Sequence, residues 1–126
     1  SDAQIRYFQI YGIAFQMTDD ILDFVRKDGA EGADIKNRVI NAVIFEALSL
    51  KYGSLHLNMS QIQDLDISGT LDVAVLKVRA RVDTLVKECH TLLYEIAREF
   101  EQKRSYQAPA ALAALDTMIN FLAQRI

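Results

Sequence analysis

One cysteine, one proline, five glycines and no tryptophan stand among 126 residues, and each shortage closes off a class of protein. A lone Cys89 has no internal partner, so the fold does not rest on disulfides, and an intracellular, cytoplasmic setting is the expectation. Sparse proline and glycine, with little apolar–polar alternation, leave hardly any punctuation for strands and hairpins and point to helices throughout. No apolar run approaches the ~20 residues of a membrane-spanning helix, and no basic-then-apolar secretory signal opens the chain, so a soluble protein without a transmembrane segment is expected. Excess charge of one sign is lacking too. A formal net charge of −3 and no basic patch interleaved with aromatics argue against a nucleic-acid partner. His56 and His90 stand apart, neither in a Glu-x-x-His unit, which disfavours a carboxylate-bridged di-iron centre.

What is there reads as an all-α helical bundle, a single domain over residues 1–126 with 51% hydrophobic and 25% charged residues. A first helix is predicted from about Asp2 to Lys27, with Ile5, Phe8, Tyr11, Gly12, Phe15, Ile21, Leu22 and Val25 giving a broad apolar surface. A loop over 28–34 follows. A second helix, roughly Asn37 to Tyr52, is apolar on two sides and stops at Gly53. Ser60 and Gln63 have the spacing of a capping box for a short helix, broken at Ser68-Gly69. From Leu71 the sequence Leu71, Val75, Val78, Val82, Leu85, Cys89, Leu92, Ile96 alternates steps of four and three, a heptad seam of one long helix packed at a small crossing angle. Cys89 lies on that seam as a small core residue. Ser105-Tyr106-Gln107 ends the helix, and Pro109 opens a last one with Leu112, Leu115, Ile119, Leu122 and Ile126 on one face.

The chemistry is concentrated in Asp19-Asp20-Ile21-Leu22-Asp23. On a helix Asp23 lies four residues after Asp19 and three after Asp20, so three carboxylates crowd one edge, near a C-terminal end where the macrodipole opposes them. A cation is the expected remedy. Mg²⁺ takes one or two carboxylates and completes its shell with waters and substrate phosphates, which suits such an edge facing a cleft. The bland reading is a solvated acidic edge neutralised by Arg26 and Lys27 at spacings of three and four.

The flanks of the cluster sharpen the choice. Gly12-x-x-Phe15-Gln16-x-x-Asp19-Asp20-x-x-Asp23, followed by Gly32-x-Asp34-Ile35, resembles the second aspartate-rich motif of the trans-prenyltransferases, the isoprenyl and polyprenyl diphosphate synthases. The order of motif helix, apolar helix, loop, long helix and final helix is also similar to the C-terminal part of those enzymes, so the resemblance covers essentially the whole chain. It implies a bundle like the C-terminal part of the isoprenoid synthase fold. It implies Mg²⁺ as cofactor, held by Asp19 directly and by Asp20 and Asp23 through waters or from behind, with Gln16 hydrogen-bonding the diphosphate. The implied reaction is ionisation of an allylic diphosphate, attack by the double bond of isopentenyl diphosphate and loss of a proton.

The pattern also departs from the family. The lysine of the family's Gly-Lys loop would fall near Asp28 or Gly29, with Lys27 close enough to stand in; a second family lysine aligns with Val39, and only a shift of register would let Arg38 or Lys36 replace it. Asn41-Ala42-Val43 occupies the place of a Thr-Leu-Pro. The substrate-binding candidates are therefore Gln16, Lys27, Lys36 and Arg38. The first aspartate-rich motif, which belongs to the family's longer N-terminal part, does not occur here, so the expectation is a fragment or small subunit completed by another chain in a homo- or hetero-oligomer. The alternatives are a non-catalytic modulatory subunit of a prenyltransferase, and a helical interaction module whose acidic cluster is fortuitous.

Overall fold

The computed structural model describes residues 1–25, 41–53, 69–104 and 106–126, and over these residues the chain is all-helical. Four helices appear among them: α1 (Asp2–Val25), α2 (Ala42–Tyr52), α3 (Leu71–Lys103) and α4 (Ala108–Arg125). The expected end of the first helix at Arg26-Lys27, the 28–34 loop, His56 and the short helix opening at Ser60 lie outside the described residues.

The boundaries follow local chemistry. Asn41 has an extended backbone and its side chain accepts a hydrogen bond from the Ile44 N–H at 2.9 Å, an N-cap that starts α2 at Ala42 rather than at Asn37 as expected. Gly53 ends α2 at φ 74°, a backbone that a Cβ would strain, and donates its N–H to the Ser49 carbonyl at 2.9 Å. Thr70 precedes α3 and its hydroxyl donates to the Ala47 carbonyl of α2 at 3.0 Å. Pro109 sits in the first turn of α4, where its missing N–H has no helical acceptor to lose.

The helices pack as two compact units, one of 1–16 with 81–126 and one of 17–80. The first unit has a core of Ala3, Tyr7 and Ile10 from α1, Cys89, Leu92 and Ile96 from α3, and Ile119 from α4. Tyr7 is wholly buried, and its hydroxyl donates to the Leu115 carbonyl at 2.6 Å, so the polar end of a large core side chain is satisfied. At the surface of this unit Arg6 pairs with Glu88 at 2.9 Å. Burial pushes the Cys89 thiol up to about 11, helped by the Glu88 carboxylate beside it, and so keeps it an inert core residue.

In the second unit Ile21 of α1, Val43, Ile44, Ala47 and Leu48 of α2, and Ala74 and Val78 of α3 are buried, together with Thr18, Asp23, Asn41 and Glu46. Glu46 has the Lys77 ammonium 3.8 Å away, which offsets the cost of burying its charge. The predicted heptad seam of α3 is largely the buried face: Val78, Val82, Cys89, Leu92 and Ile96 are buried, while Leu71, Val75 and Leu85 are half-buried.

For α1 the buried face differs from the expected one. The inward residues are Ala3, Tyr7, Ile10, Ala14, Thr18 and Ile21, again in steps of four and three, whereas Ile5 and Phe8 are 58% and 52% exposed and Gly12 is exposed. Three members of that stripe, Ala3, Ala14 and Thr18, have small side chains. Counting only bulky residues hides it.

Candidate functional site

The acidic edge belongs to the second unit, at the C-terminal end of α1. Asp19 and Asp20 are half-buried, and Asp23 retains 8% of its surface. α1 runs unbroken from Asp2 to Val25, so the three residues stand at helical spacings of three and four. Each of the three has partners within the protein. The geometry of one such contact is clear: Oδ2 of Asp20 accepts a hydrogen bond from the Ala42 N–H at 2.9 Å.

That contact alters the electrostatic account of the cluster. Ala42 and Ile44 are the first and third residues of α2, whose amides have no acceptor inside the helix. Asn41 satisfies Ile44 and Asp20 satisfies Ala42. The partial positive charge of the α2 N-terminus thus faces an acidic side chain of α1, and part of the relief expected from a cation comes from the protein itself.

The donor chemistry suits a hard cation as one share of a site. Carboxylate oxygens of this kind serve Mg²⁺ when waters and phosphate oxygens supply the remaining ligands. They do not form a self-sufficient cage, since no group of three or more His, Cys, Asp or Glu side chains able to hold a metal is found among the described residues. Gln16 is exposed on α1, in the first unit. Lys27, Lys36 and Arg38, the other candidates for diphosphate binding, lie outside the described residues.

Three features escaped the sequence. Phe15 of the Phe-Gln pair stacks near Phe121 of α4, ring centroids 6.5 Å apart, with the Arg125 guanidinium 4.2 Å above the Phe15 ring. Phe15 also continues a stacked series from Tyr7 through Tyr11. Glu46 is a buried carboxylate inside an apolar helix, signalled only by being the lone acid between Asp34 and Asp64. The Asp20–Ala42 bond could have been anticipated in part, because Asn41 ahead of the apolar run Ala42-Val43-Ile44 is an N-cap signal. A concavity of about 320 Å³ in the second unit is lined by Phe24, Leu71, Asp72, Val75, Leu76 and Arg79.

No family model, curated protein or solved structure matches this chain. No helix among the described residues is long and apolar enough to cross a membrane.

Proposed function

We propose that this chain supplies one acidic wall of a Mg²⁺–diphosphate site in a trans-prenyltransferase, which condenses isopentenyl diphosphate with an allylic diphosphate. The opposite wall, with the first aspartate-rich motif, lies outside these 126 residues. The observation that carries this reading is the compound motif Gly12-x-x-Phe15-Gln16-x-x-Asp19-Asp20-x-x-Asp23 lying on one uninterrupted helix.

In this role Asp19 is the direct ligand, Asp20 and Asp23 hold its waters or support it, and Gln16, Lys27, Lys36 and Arg38 bind diphosphate oxygens. When bound, Mg²⁺ supplies charge neutralisation for the departing diphosphate. The chain's own contribution is placement. The carboxylates are held on a helix edge before substrate arrives, so little reorganisation accompanies the development of negative charge on the leaving group. The exposed apolar side chains of α1, Ile5, Phe8 and Ile13, support an oligomeric assembly.

The Asp20–Ala42 bond also favours a second reading, a non-catalytic subunit that modulates a complete prenyltransferase, because it gives one motif carboxylate a structural occupation. A partner whose turnover and product length are the same with and without this chain excludes that alternative. The primary reading is tested by thermal melting with Mg²⁺ and inorganic pyrophosphate. A ligand at 100 times its dissociation constant adds about 2.7 kcal/mol, so a rise of several degrees is expected only when both are present. Unchanged melting at millimolar concentrations of both contradicts it.

A further inference from the structure

Asp20 and Ala42 are 22 residues apart in sequence, yet a 2.9 Å hydrogen bond ties the side chain of one to the backbone of the other. We propose that Asp20 is a positioning residue: its carboxylate is a second N-terminal cap on α2, and through that bond it fixes the edge of α1 on which Asp19 stands. The Asp-Asp pair is then divided, with Asp19 facing the cation and Asp20 facing the backbone. The role given to Asp19 rests on the proposed function; the role given to Asp20 does not.

The first turn of α2 shows why a second cap is needed. Asn41 is buried and spends its side-chain oxygen on Ile44, the third residue of the helix. The Ala42 N–H is left with no helical acceptor, and a half-buried amide without a partner is costly. Asp20 fills that gap with an ionised acceptor, the stronger kind of hydrogen bond, placed where the helix macrodipole favours negative charge. The same bond draws the Asp20 charge toward α2 and so lessens its repulsion of Asp19 and Asp23, its neighbours at one and three residues. Two further ties seat α2 in this unit: the Thr70 hydroxyl on the Ala47 carbonyl and Lys77 beside Glu46. Both involve the α3 side, whereas Asp20 ties α1 to the start of α2.

Two substitutions separate positioning from ligation. Asp20→Asn keeps an acceptor oxygen in place but removes the charge, whereas Asp20→Ala removes both. Amide exchange of the full 126-residue chain is followed by NMR, and Mn²⁺ binding with inorganic pyrophosphate by electron paramagnetic resonance. Asp20→Ala is expected to speed exchange at Ala42 about tenfold or more and to weaken Mn²⁺ binding, and Asp20→Asn to restore both to within about threefold of the parent chain. Unchanged Ala42 exchange in Asp20→Ala overturns the proposal. So does an Asp20→Asn chain that protects Ala42 yet binds Mn²⁺ as poorly as Asp20→Ala, for that marks a direct ligand. If Asp20→Ala does not fold, Asp20→Asn decides alone by the same two readouts. If the parent chain binds no Mn²⁺ with pyrophosphate, the role of Asp19 fails, while exchange at Ala42 still decides the role of Asp20.

Discussion

Replacing Tyr7 by phenylalanine isolates a polar contact in the core of the first unit. The side chain is wholly buried, and its hydroxyl donates to the Leu115 carbonyl at 2.6 Å. Leu115 lies inside α4, so its carbonyl also accepts the ordinary helical bond from Ile119, and removing the hydroxyl does not orphan it. The penalty is therefore the net worth of a single buried bond, about 1 kcal/mol, without an added desolvation cost. The ring is retained, and with it the edge-on contact to Phe8 and the stacking on Tyr11, at centroid distances of 5.3 and 6.2 Å. By contrast, Tyr7→Ala forfeits the ring as well, at about 3–5 kcal/mol. Urea denaturation measures both, with equal slopes and shifted midpoints expected. A Tyr7→Phe chain as stable as the parent, or one that loses as much as Tyr7→Ala, refutes this account of the core.

Stability should fall with alkaline pH through Cys89. Its thiol titrates at about 11 in the fold against 9.0 for the free group, so between those values the unfolded chain releases a proton the folded chain keeps; full stability holds below pH 9, is lost progressively up to about 11, and Cys89→Ala flattens that part of the profile in denaturation curves taken across it. Gly53→Ala should cost about 1–3 kcal/mol by chemical denaturation, because φ 74° with ψ −135° is a glycine conformation; nothing lies within 4 Å of an added Cβ, so a neutral effect would mean the helix end relaxes freely.

The long helix was the most legible part of the chain. Its seam rests on branched and bulky residues in a heptad pattern, and these are the residues that packing buries in Val78, Val82, Leu92 and Ile96. The first helix was legible in extent but not in rotation. Its bulky residues cover much of its circumference, and the choice between stripes fell to Ala3, Ala14 and Thr18, whose small size sets how closely helices approach. Of the acidic edge, the sequence carried the spacing but not the partner. Which backbone amide meets Asp20 depends on where α2 begins, and the apolar pattern alone extends that helix back to Asn37, whereas the Asn41 cap fixes it at Ala42. Glu46 was opaque for a similar reason: the lysine beside it, Lys77, is 31 residues away in sequence.

The central proposal is that Asp19 anchors a Mg²⁺–diphosphate site. It is tested most directly by condensation of labelled isopentenyl diphosphate with an allylic diphosphate, in the complex that copurifies with this protein, comparing the parent chain with Asp19→Asn. Mg²⁺-dependent product from the parent and at least a hundredfold loss in the variant, about 2.7 kcal/mol or more of transition-state stabilisation, is the expected result. Full activity with Asp19→Asn would contradict the claim.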